Sequence, residues 1–559
     1  MFAFSLVISV LLASQSLASP ISTELASRAS SINVGQLLCH IPFVPKALCT
    51  SNTKRGSKTV STPLGTATGV ADGSGVRFAV KYGSASRWAP STVATAWELP
   101  NGNTDPSAKP LMCAQVGADS SAFSEDCLSA LIYVPSTVTS GSNVPTFMWI
   151  HGGSFTEGSA TADGLDGMAL ATATDSIVVV VQYRLGALGF MAPSGQTNLA
   201  VKDMITCMQF LQKVLPSFGG SASKITLAGQ SAGGNMIRAL LAVPSASSLF
   251  QSAIIQSDPM DYGFLTTDVQ KELQSYFNSL LNCSSTDTTC LSAIPLSDVL
   301  DASDNLFNQA PSIDDSAVAS QPMRPVHDGQ LITSTLDDQT GFPTVSKPVL
   351  VTNVKDEAAP TIYGLVSSFM SVEFFQQWVD ASYGDPKASN VLDSSFYAVP
   401  VLADGQQEDS RIPLTQMGTD SIWRCPAYTF ARSWASNGGK AYVGQFQVGA
   451  HYPANDGIAE CQGSDVVCHQ DDIEIVFGTV SSPTSAQSSV VAEIQARYKA
   501  FMYTGNPNPT SGNYATWTPA GDSTVSAILF GATGTAAVGA CSPDFWGSQV
   551  KYDYQIWHD

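Results

Sequence analysis

The chain is long, acidic and sparsely charged. Its 559 residues carry a formal net charge of −20, and only 13% of them are charged, against about 25% in ordinary globular domains. The 26 basic residues form no cluster, which argues against nucleic acid or an anionic membrane surface as a partner. The 44% hydrophobic share is ample for a large buried core.

The first predicted element is an export signal. Residues 2–18 form an apolar run that ends in Ser-Leu-Ala, and small residues at the third-last and last positions predict cleavage after Ala18. The run contains no lysine or arginine, and the alternative is an N-terminal membrane anchor. Because the run is short and has no stop-transfer flank, we expect a signal peptide at 1–18, a short leader at 19–60 and a secreted product without stable membrane anchoring.

Eleven cysteines favour an oxidising compartment. Pairing by proximity predicts four local disulfides and leaves two distant cysteines for a long-range bridge. The predicted disulfides are Cys39–Cys49, Cys113–Cys127, Cys283–Cys290, Cys461–Cys468 and Cys425–Cys541. Cys207 lies in a predicted buried helix and is the expected free thiol. No ligand-spaced Cys/His cluster is present, so no metal site is predicted. The one glycosylation sequon, at Asn282, contains Cys283 of a predicted disulfide, and its use stays open, as does the oligomeric state.

The hydrophobic pattern changes along the chain. Residues 62–82 alternate and contain many glycines, which predicts antiparallel strands. Later apolar runs alternate with helical spacing, which predicts an α/β fold with a mostly parallel sheet, covered by helices on both faces. These later strands are predicted at 131–134, 146–150, 177–181, 225–227, 252–256, 348–351 and 441–446, with a helix at 203–215. We expect one large domain at 61–545 and a tail at 546–559.

Residues 229–233 form the only G-x-S-x-G motif in the chain. A short β-branched run precedes the motif and a helical segment follows it, as a nucleophile elbow requires. Glycines two residues before and after Ser231 would remove clashes in so sharp a turn. The motif therefore predicts Ser231 as a nucleophile, and an ordinary glycine-rich turn is the alternative.

A serine nucleophile needs N–H donors for the oxyanion that forms during acyl transfer. Residues 151–155 read His-Gly-Gly-Ser-Phe and follow a predicted strand, as an HGGG-type loop does. The expected donors are the backbone N–H groups of Gly153, Ser154 and Ala232. Ser154 stands where a third glycine is usual, and its Cβ narrows the available backbone angles.

The serine also needs a base and an acid that orients the base. Of the six histidines, His469 precedes an acidic helix start and is adjacent to Cys468, and it is favoured over His451. The acid should follow a strand between serine and histidine, where Asp356 and Glu357 lie side by side. The residues alone do not choose between these two carboxylates.

At this point the chain resembles the type B carboxylesterases, a family of the α/β-hydrolase fold that includes cholinesterases and fungal lipases. The resemblance covers residues 60–545 and rests on several motifs in order. They are Trp149-Ile150-His151-Gly152-Gly153-Ser154-Phe155, Tyr183-Arg184-Leu185-Gly186, Phe218-Gly219-Gly220, Gly229-Gln230-Ser231-Ala232-Gly233-Gly234, Gln256-Ser257, Asp328-Gly329, Lys355-Asp356-Glu357, His469 with Phe477-Gly478, and Thr504-Gly505-Asn506-Pro507.

The resemblance implies an esterase that acts on a small-molecule ester without a metal or cofactor. It makes the acid Glu357, so that Ser231, Glu357 and His469 form the triad, and it gives Ser257 a hydrogen bond to that acid. Lipase, sterol esterase and feruloyl esterase activities are alternatives on the same fold. A catalytically dead adhesion protein is a further alternative, although such members typically lose the nucleophile.

The sequence departs from the family at three places. Gln230 replaces a glutamate whose charge would favour the imidazolium form of His469, so we expect activity to persist to lower pH. Only 13 residues separate Cys113 from Cys127, too few for the long amphipathic lid of the family's lipases. Residues 75–82 keep the family's Gly-Ile-Pro-Tyr-Ala segment poorly, which affects the expected edge of the pocket.

Overall fold

The computed structural model describes residues 57–318, 320–339, 341–402 and 405–557. The predicted signal peptide, most of the predicted leader and the predicted Cys39–Cys49 disulfide lie outside these ranges. The first strand begins at Ser57, inside the segment expected to be leader, and continues to Thr62.

A single mixed sheet of 11 strands organises the described residues. Its strands occur in the spatial order β1-β2-β3-β4-β6-β5-β7-β8-β9-β10-β11. Their bounds are β1 Ser57–Thr62, β2 Gly65–Asp72, β3 Gly75–Lys81, β4 Ser129–Pro135, β5 Val144–Ile150, β6 Ile177–Val181, β7 Gly220–Gln230, β8 Ser252–Gln256, β9 Pro348–Val354, β10 Lys440–Phe446 and β11 Ile528–Phe530. Two further pairs of two-residue strands lie at 83–84 with 92–93 and at 112–113 with 123–124.

The sheet divides into an antiparallel and a parallel part. Strands β1 to β4 pair antiparallel, and β4 pairs antiparallel with β6. From β6 through β5, β7, β8, β9 and β10 to β11 every pairing is parallel. This arrangement confirms the predicted α/β-hydrolase architecture with a small antiparallel region near the N-terminus.

The central strands are buried on both faces because helices cover both sides of the sheet. All five residues of β6 are buried. Ile177, Val179 and Val181 pack into the core on one face, whereas Val178 and Val180 pack into the core on the other. The continuous apolar run in the sequence reflects this two-sided burial.

The helices connect consecutive strands or form the layer above the sheet. Their bounds are α1 Met168–Thr174, α2 Gly186–Phe190, α3 Leu199–Val214, α4 Ala232–Leu241, α5 Thr267–Leu280, α6 Thr288–Ala293, α7 Leu296–Ile313, α8 Ala359–Leu365, α9 Val372–Tyr383, α10 Lys387–Leu392, α11 Arg411–Thr419, α12 Cys425–Ser436, α13 Ile473–Phe477, α14 Ser485–Thr504 and α15 Asp553–Trp557. A π-helix, Asp420–Arg424, joins α11 to α12. None of the described helices is both long and apolar enough to cross a membrane.

Four of the predicted disulfides are present: three pairs of nearby cysteines and the remaining long-range pair. They are Cys113–Cys127, Cys283–Cys290, Cys425–Cys541 and Cys461–Cys468. Cys207 is buried in α3 and unpaired, as predicted. Burial raises the pKa of its thiol well above the ordinary value, so this cysteine is an inert core residue.

The carboxyl ends of the parallel strands lie side by side at one edge of the sheet. Strand β5 ends at Ile150, β7 at Gln230, β8 at Gln256 and β9 at Val354. In open parallel sheets, ligands bind at this edge because successive loops emerge there together. The candidate site residues lie in the loops that follow these strands.

Candidate active site

Ser231 lies at a strained turn between β7 and α4. Its backbone has φ 57° and ψ −124°, a combination that residues with a Cβ rarely adopt. Helix α4 begins at the next residue, Ala232. The turn leaves the serine side chain at the carboxyl edge of the sheet, with its backbone N–H donating to Gln256 O at 2.9 Å.

The glycines on either side are required by close packing against β5. A Cβ built on Gly233 would lie 2.1 Å from Ile150 O, and a Cβ on Gly229 would lie 2.7 Å from the same atom. Both distances are far below van der Waals contact. The G-x-S-x-G pattern therefore reflects the lack of space between the turn and β5.

The loop after β5 approaches the serine closely. A Cβ added at Gly152 would lie 3.1 Å from Ser231 Cβ. Gly153, Ser154 and Phe155 all have positive φ, at 104°, 52° and 62°. The loop keeps this unusual conformation because Gly153 O accepts from two backbone N–H groups of the turn and Phe155 O accepts from Gly186 N at 2.7 Å.

His151 anchors the base of this loop as a neutral side chain. It stacks on Tyr183 with ring centroids 4.6 Å apart, and Tyr183 Oη donates to His151 O at 2.8 Å. Burial lowers the pKa of His151 to about 4, so the ring stays uncharged at neutral pH. Its Nδ1–H donates to Gly152 O at 2.8 Å.

The backbone N–H groups of Gly153, Ser154 and Ala232 take part in no hydrogen bond among the described residues. Unused donors are uncommon in a buried backbone, and Ser154 and Ala232 are both buried. These three groups are therefore available to an acceptor next to Ser231.

Glu357 and His469 form a short, buried hydrogen bond. His469 Nδ1 lies 2.5 Å from Glu357 Oε2, and the exposed fractions of the two residues are 9% and 1%. The other carboxylate oxygen, Oε1, accepts from Val354 N at 2.9 Å. The glutamate is thus fixed by the end of β9 and points at the imidazole.

The second imidazole nitrogen faces Gln230. Gln230 Nε2 lies 3.0 Å from His469 Nε2, and Gln230 is fully buried. An amide N–H can only donate, so His469 Nε2 accepts and Nδ1 carries the proton that is donated to Glu357. No hydrogen bond joins Ser231 Oγ to His469 among the described atoms, and Gln230 holds the nitrogen that faces the serine turn.

The alternative residues from the sequence lie elsewhere. His451 is half-buried at the surface, where its Nε2 pairs with the exposed Asp456 at 2.8 Å. Asp356 turns away from the imidazole, and its Oδ2 accepts from Val467 N at 3.0 Å. Of the two adjacent carboxylates, Glu357 is therefore the one that contacts His469.

The expected contact from Ser257 to the acid is absent. Ser257 Oγ is buried and has no hydrogen-bond partner in the described part of the chain. The residue has a positive φ of 49°, and its backbone N–H donates to Thr352 O at 2.7 Å. Glu357 Oε1 accepts from the backbone N–H of Val354, and the hydrogen bond from Ser257 that the resemblance implies is not formed among the described residues.

Two side chains close to His469 were not expected from the sequence. Trp423, on the π-helix, lies with its ring centroid 5.5 Å from that of His469. Asp472 is fully buried and accepts from Gln256 Nε2 at 2.5 Å, and burial raises its pKa to about 7. In the sequence Asp472 looks like an acidic helix start, because such a carboxylate normally stabilises the N-terminus of the helix that follows.

The Cys113–Cys127 loop is fixed to the loop that follows β5. Gln115 Nε2 donates to Gly158 O at 3.0 Å, and Gly158 N donates back to Gln115 Oε1 at 3.0 Å. At the other end of the loop, Gln182 Nε2 donates to Cys127 O at 3.0 Å. Hydrogen bonds therefore hold the segment in place, and it forms a fixed wall beside the site.

One cluster of metal-ligating side chains occurs in the described residues: Asp420 with Cys425 and Cys541. The two cysteines form a disulfide with each other, and Asp420 pairs with Arg424 at 2.6 Å. Sulfurs in a disulfide are not thiolates, so this cluster does not fit a metal ion.

Comparisons with known proteins identify the family of the chain. The family model described as "Carboxylesterase family" matches residues 57–545. Carboxylesterase 1C of Rattus norvegicus is 27% identical over 472 residues, which cover 78% of this chain and 81% of the relative. "Crystal protein" of Dictyostelium discoideum is 27% identical over 424 residues, 72% of this chain and 71% of the relative.

A solved structure entitled "PNB esterase" superposes with a TM-score of 0.66 at 24% identity, covering 85% of this chain and 96% of the other. At 24% identity this similarity supports the fold only. The assignment of ester hydrolysis rests on the family model, which matches most of the chain. The chain belongs to the carboxylesterase family and is a carboxylic ester hydrolase.

Proposed function

We propose that the protein is a secreted serine esterase in which Ser231, His469 and Glu357 form the catalytic triad. The observation that carries this proposal is the 2.5 Å hydrogen bond between Glu357 and His469, whose other nitrogen faces the turn of Ser231. Four disulfides support export to an oxidising compartment.

The first half of the reaction is acylation of the serine. The Ser231 hydroxyl rotates to donate its proton to His469 Nε2, displacing the N–H of Gln230, while its oxygen bonds to the ester carbonyl carbon. The carbonyl oxygen becomes an oxyanion that accepts from the N–H groups of Gly153, Ser154 and Ala232. The imidazolium then protonates the leaving alcohol, and the acyl-enzyme remains.

Deacylation repeats the same steps with water. Water gives a proton to His469 Nε2 and bonds to the acyl carbon, and collapse of the second oxyanion releases the carboxylic acid and returns the proton to Ser231. Glu357 holds the proton on Nδ1 throughout and stabilises the transient imidazolium. Every step uses side-chain and backbone groups of this chain.

Replacement of the nucleophile is the direct test. Ser231→Ala should lower kcat for p-nitrophenyl esters by about 10⁴-fold or more, because the residual rate comes from binding and the N–H donors alone. Ser248→Ala, at an exposed position, is the matched control and should keep the wild-type rate. Mass spectrometry after reaction with a fluorophosphonate should locate the adduct on Ser231. A Ser231→Ala variant that retains its rate would rule out the proposed mechanism.

The same assay separates the alternatives within the fold. A lipase would prefer emulsified long-chain triglycerides, a sterol esterase cholesteryl esters and a feruloyl esterase methyl ferulate. We expect short to medium p-nitrophenyl esters to react fastest, since the Cys113–Cys127 segment provides no lid. Comparison of kcat/KM across these four substrate types assigns the ester class.

A further inference from the structure

His469 directly follows a small disulfide loop. Cys461 and Cys468 are joined across a sequence separation of seven, and Cys468 is the residue immediately before His469. Both cysteines are buried, with 2% and 0% of their surface exposed. The residue immediately before His469 is therefore fixed covalently by the disulfide.

The same loop is attached to the segment that carries Glu357. Asp356 N donates to Val467 O at 2.9 Å, and Val467 N donates to Asp356 Oδ2 at 3.0 Å. Cys461 and Cys468 form a small buried cluster with Ala359, two residues after Glu357. The disulfide loop thus contacts the chain on both sides of the glutamate.

Hydrogen bonds on both sides of His469 provide a second attachment. Asn455 Nδ2 donates to His469 O at 2.9 Å, and Cys468 N donates to Asp471 Oδ2 at 2.8 Å. The first bond fixes the carbonyl group of His469. Cys468, on its N-terminal side, is held by Asp471, by the disulfide and by the pairing with Asp356. Breaking the disulfide would leave residues 461–468 attached by noncovalent contacts only.

We propose that the Cys461–Cys468 disulfide is a positioning element that holds His469 in register with Glu357. The proposal rests on the proposed function, since it assigns a catalytic consequence to the position of His469. Hydrogen bonds between an imidazole and a carboxylate depend steeply on distance and direction, so a small displacement of the histidine backbone weakens the base. Ser231 and the three N–H donors follow β5 and β7, elements that this disulfide does not join.

The chain contains a matched control for this disulfide. Cys283–Cys290 also spans a sequence separation of seven, and it joins the loop after α5 to α6, neither of which carries a candidate site residue. Because loop-closure entropy depends on loop length, the two bridges constrain the unfolded chain alike. A difference in activity between their removals therefore reports on position in the fold.

The experiment compares Cys461→Ser/Cys468→Ser with Cys283→Ser/Cys290→Ser. Both double variants should lower the Tm, but only the first should lower kcat, by at least tenfold, with KM within about twofold of wild type. Assays run well below either Tm, and the rate of fluorophosphonate labelling at Ser231 should fall in parallel with kcat. Equal kcat in the two variants would overturn the proposal.

A second measurement tests the proposal even if the Cys461→Ser/Cys468→Ser variant does not fold. Wild-type protein is exposed to increasing dithiothreitol, alkylated and mapped by mass spectrometry while activity is followed. The half-buried Cys283–Cys290 bridge should open first without loss of rate, and the rate should fall with opening of Cys461–Cys468. Full activity after that bridge has opened would contradict the proposal. Absence of esterase activity in the untreated protein would instead contradict the proposed function.

Discussion

Gln230 donates a side-chain N–H to His469 Nε2, although the G-x-S-x-G pattern does not specify the residue before the serine. Its side chain is fully buried, and its oxygen has no hydrogen-bond partner in the described structure. A donor at this position favours the neutral imidazole, whereas a carboxylate would favour the imidazolium. We therefore expect the charge at this position to affect the pH dependence of the proposed triad.

Gln230→Glu should shift the acidic limb of the kcat/KM profile to higher pH by about one unit or more, because a buried carboxylate stabilises the protonated histidine. The profile is measured with a dissolved p-nitrophenyl ester across the acidic range. Gln376→Glu adds the same charge at an exposed position on α9 and should leave the limb in place. An unmoved limb in the Gln230 variant would contradict the role assigned to this residue.

Asp472 is a buried carboxylate with no cation in hydrogen-bond contact. Burial raises its pKa to about 7, the nearby charge of Glu357 acts in the same direction, and the hydrogen bond from Gln256 and the charge of His469 oppose the shift. The folded state thus binds a proton that the unfolded state releases near pH 4. Stability should fall as pH rises from about 4 to about 7, because ionisation is easier in the unfolded chain.

Asp472→Asn removes this ionisation while keeping the shape and the acceptor for Gln256. At pH 8 the free energy of unfolding of the variant should exceed that of the wild type by up to about 4 kcal/mol, the value that corresponds to the whole pKa difference. The two proteins should converge below about pH 4. Urea unfolding at several pH values provides the measurement, and Asp544→Asn, at an exposed position, should show no such trend.

At the scale of elements, the turn between β7 and α4 depends on how closely it approaches β5. The motif in the sequence predicted the turn, and the structure gives the reason for each glycine as a distance to Ile150 O. The loop after β5 could be predicted as a donor loop from its glycines. The positive φ of Ser154 and Phe155 could not, because non-glycine residues adopt that conformation only where surrounding contacts impose it.

Gly233→Ala should disrupt this turn. The added Cβ would lie 2.1 Å from Ile150 O, so β5 and α4 must separate, at a cost of about 3 kcal/mol or more. Thermal unfolding and esterase rate should both fall. Gly457→Ala is the control, since nothing lies within 4 Å of its added Cβ. Wild-type stability in the Gly233 variant would show that the turn is not packed as described.

The residue types alone did not distinguish Asp356 from Glu357 as the acid. The position of β9 determines which of the two contacts His469. Asp356 and Glu357 are adjacent and have similar chemistry, so only their directions differ. Asp356 faces Val467 and Glu357 faces His469. These directions follow from the pairing of the β9 loop with the segment around Cys468, a contact between residues more than a hundred positions apart in the chain.

At the scale of the whole molecule, access to the site depends on the wall formed by the Cys113–Cys127 segment. Hydrogen bonds from Gln115 and Gln182 fix it at two points. Arg87 adds an ion pair to Glu125 at 2.5 Å. These attachments and the disulfide at its base oppose displacement of the segment.

We therefore expect no interfacial activation. The rate on tributyrin should rise smoothly through the solubility limit, without the jump that opening of a lid would produce. A pH-stat titration across that limit provides the measurement. Gln115→Leu removes the bonds to Gly158 and tests whether those bonds keep the wall closed. A sharp rise at the limit in the wild-type protein would contradict the interpretation of this segment as a fixed wall.

The sequence by itself predicted the fold class, the three described disulfides between nearby cysteines and the candidates Ser231 and His469. These features are local or periodic: apolar spacing, short cysteine separations and a five-residue motif leave a signature in adjacent residues. The tertiary structure alone decided that Gln230 holds the other imidazole nitrogen, that Ser257 does not contact the acid, and that Asp472 is buried beside the site. It also shows that Glu357, the acid implied by the family resemblance, contacts His469, whereas Asp356 faces Val467. Each of these depends on the directions of side chains brought together from distant strands, and no local pattern encodes such directions.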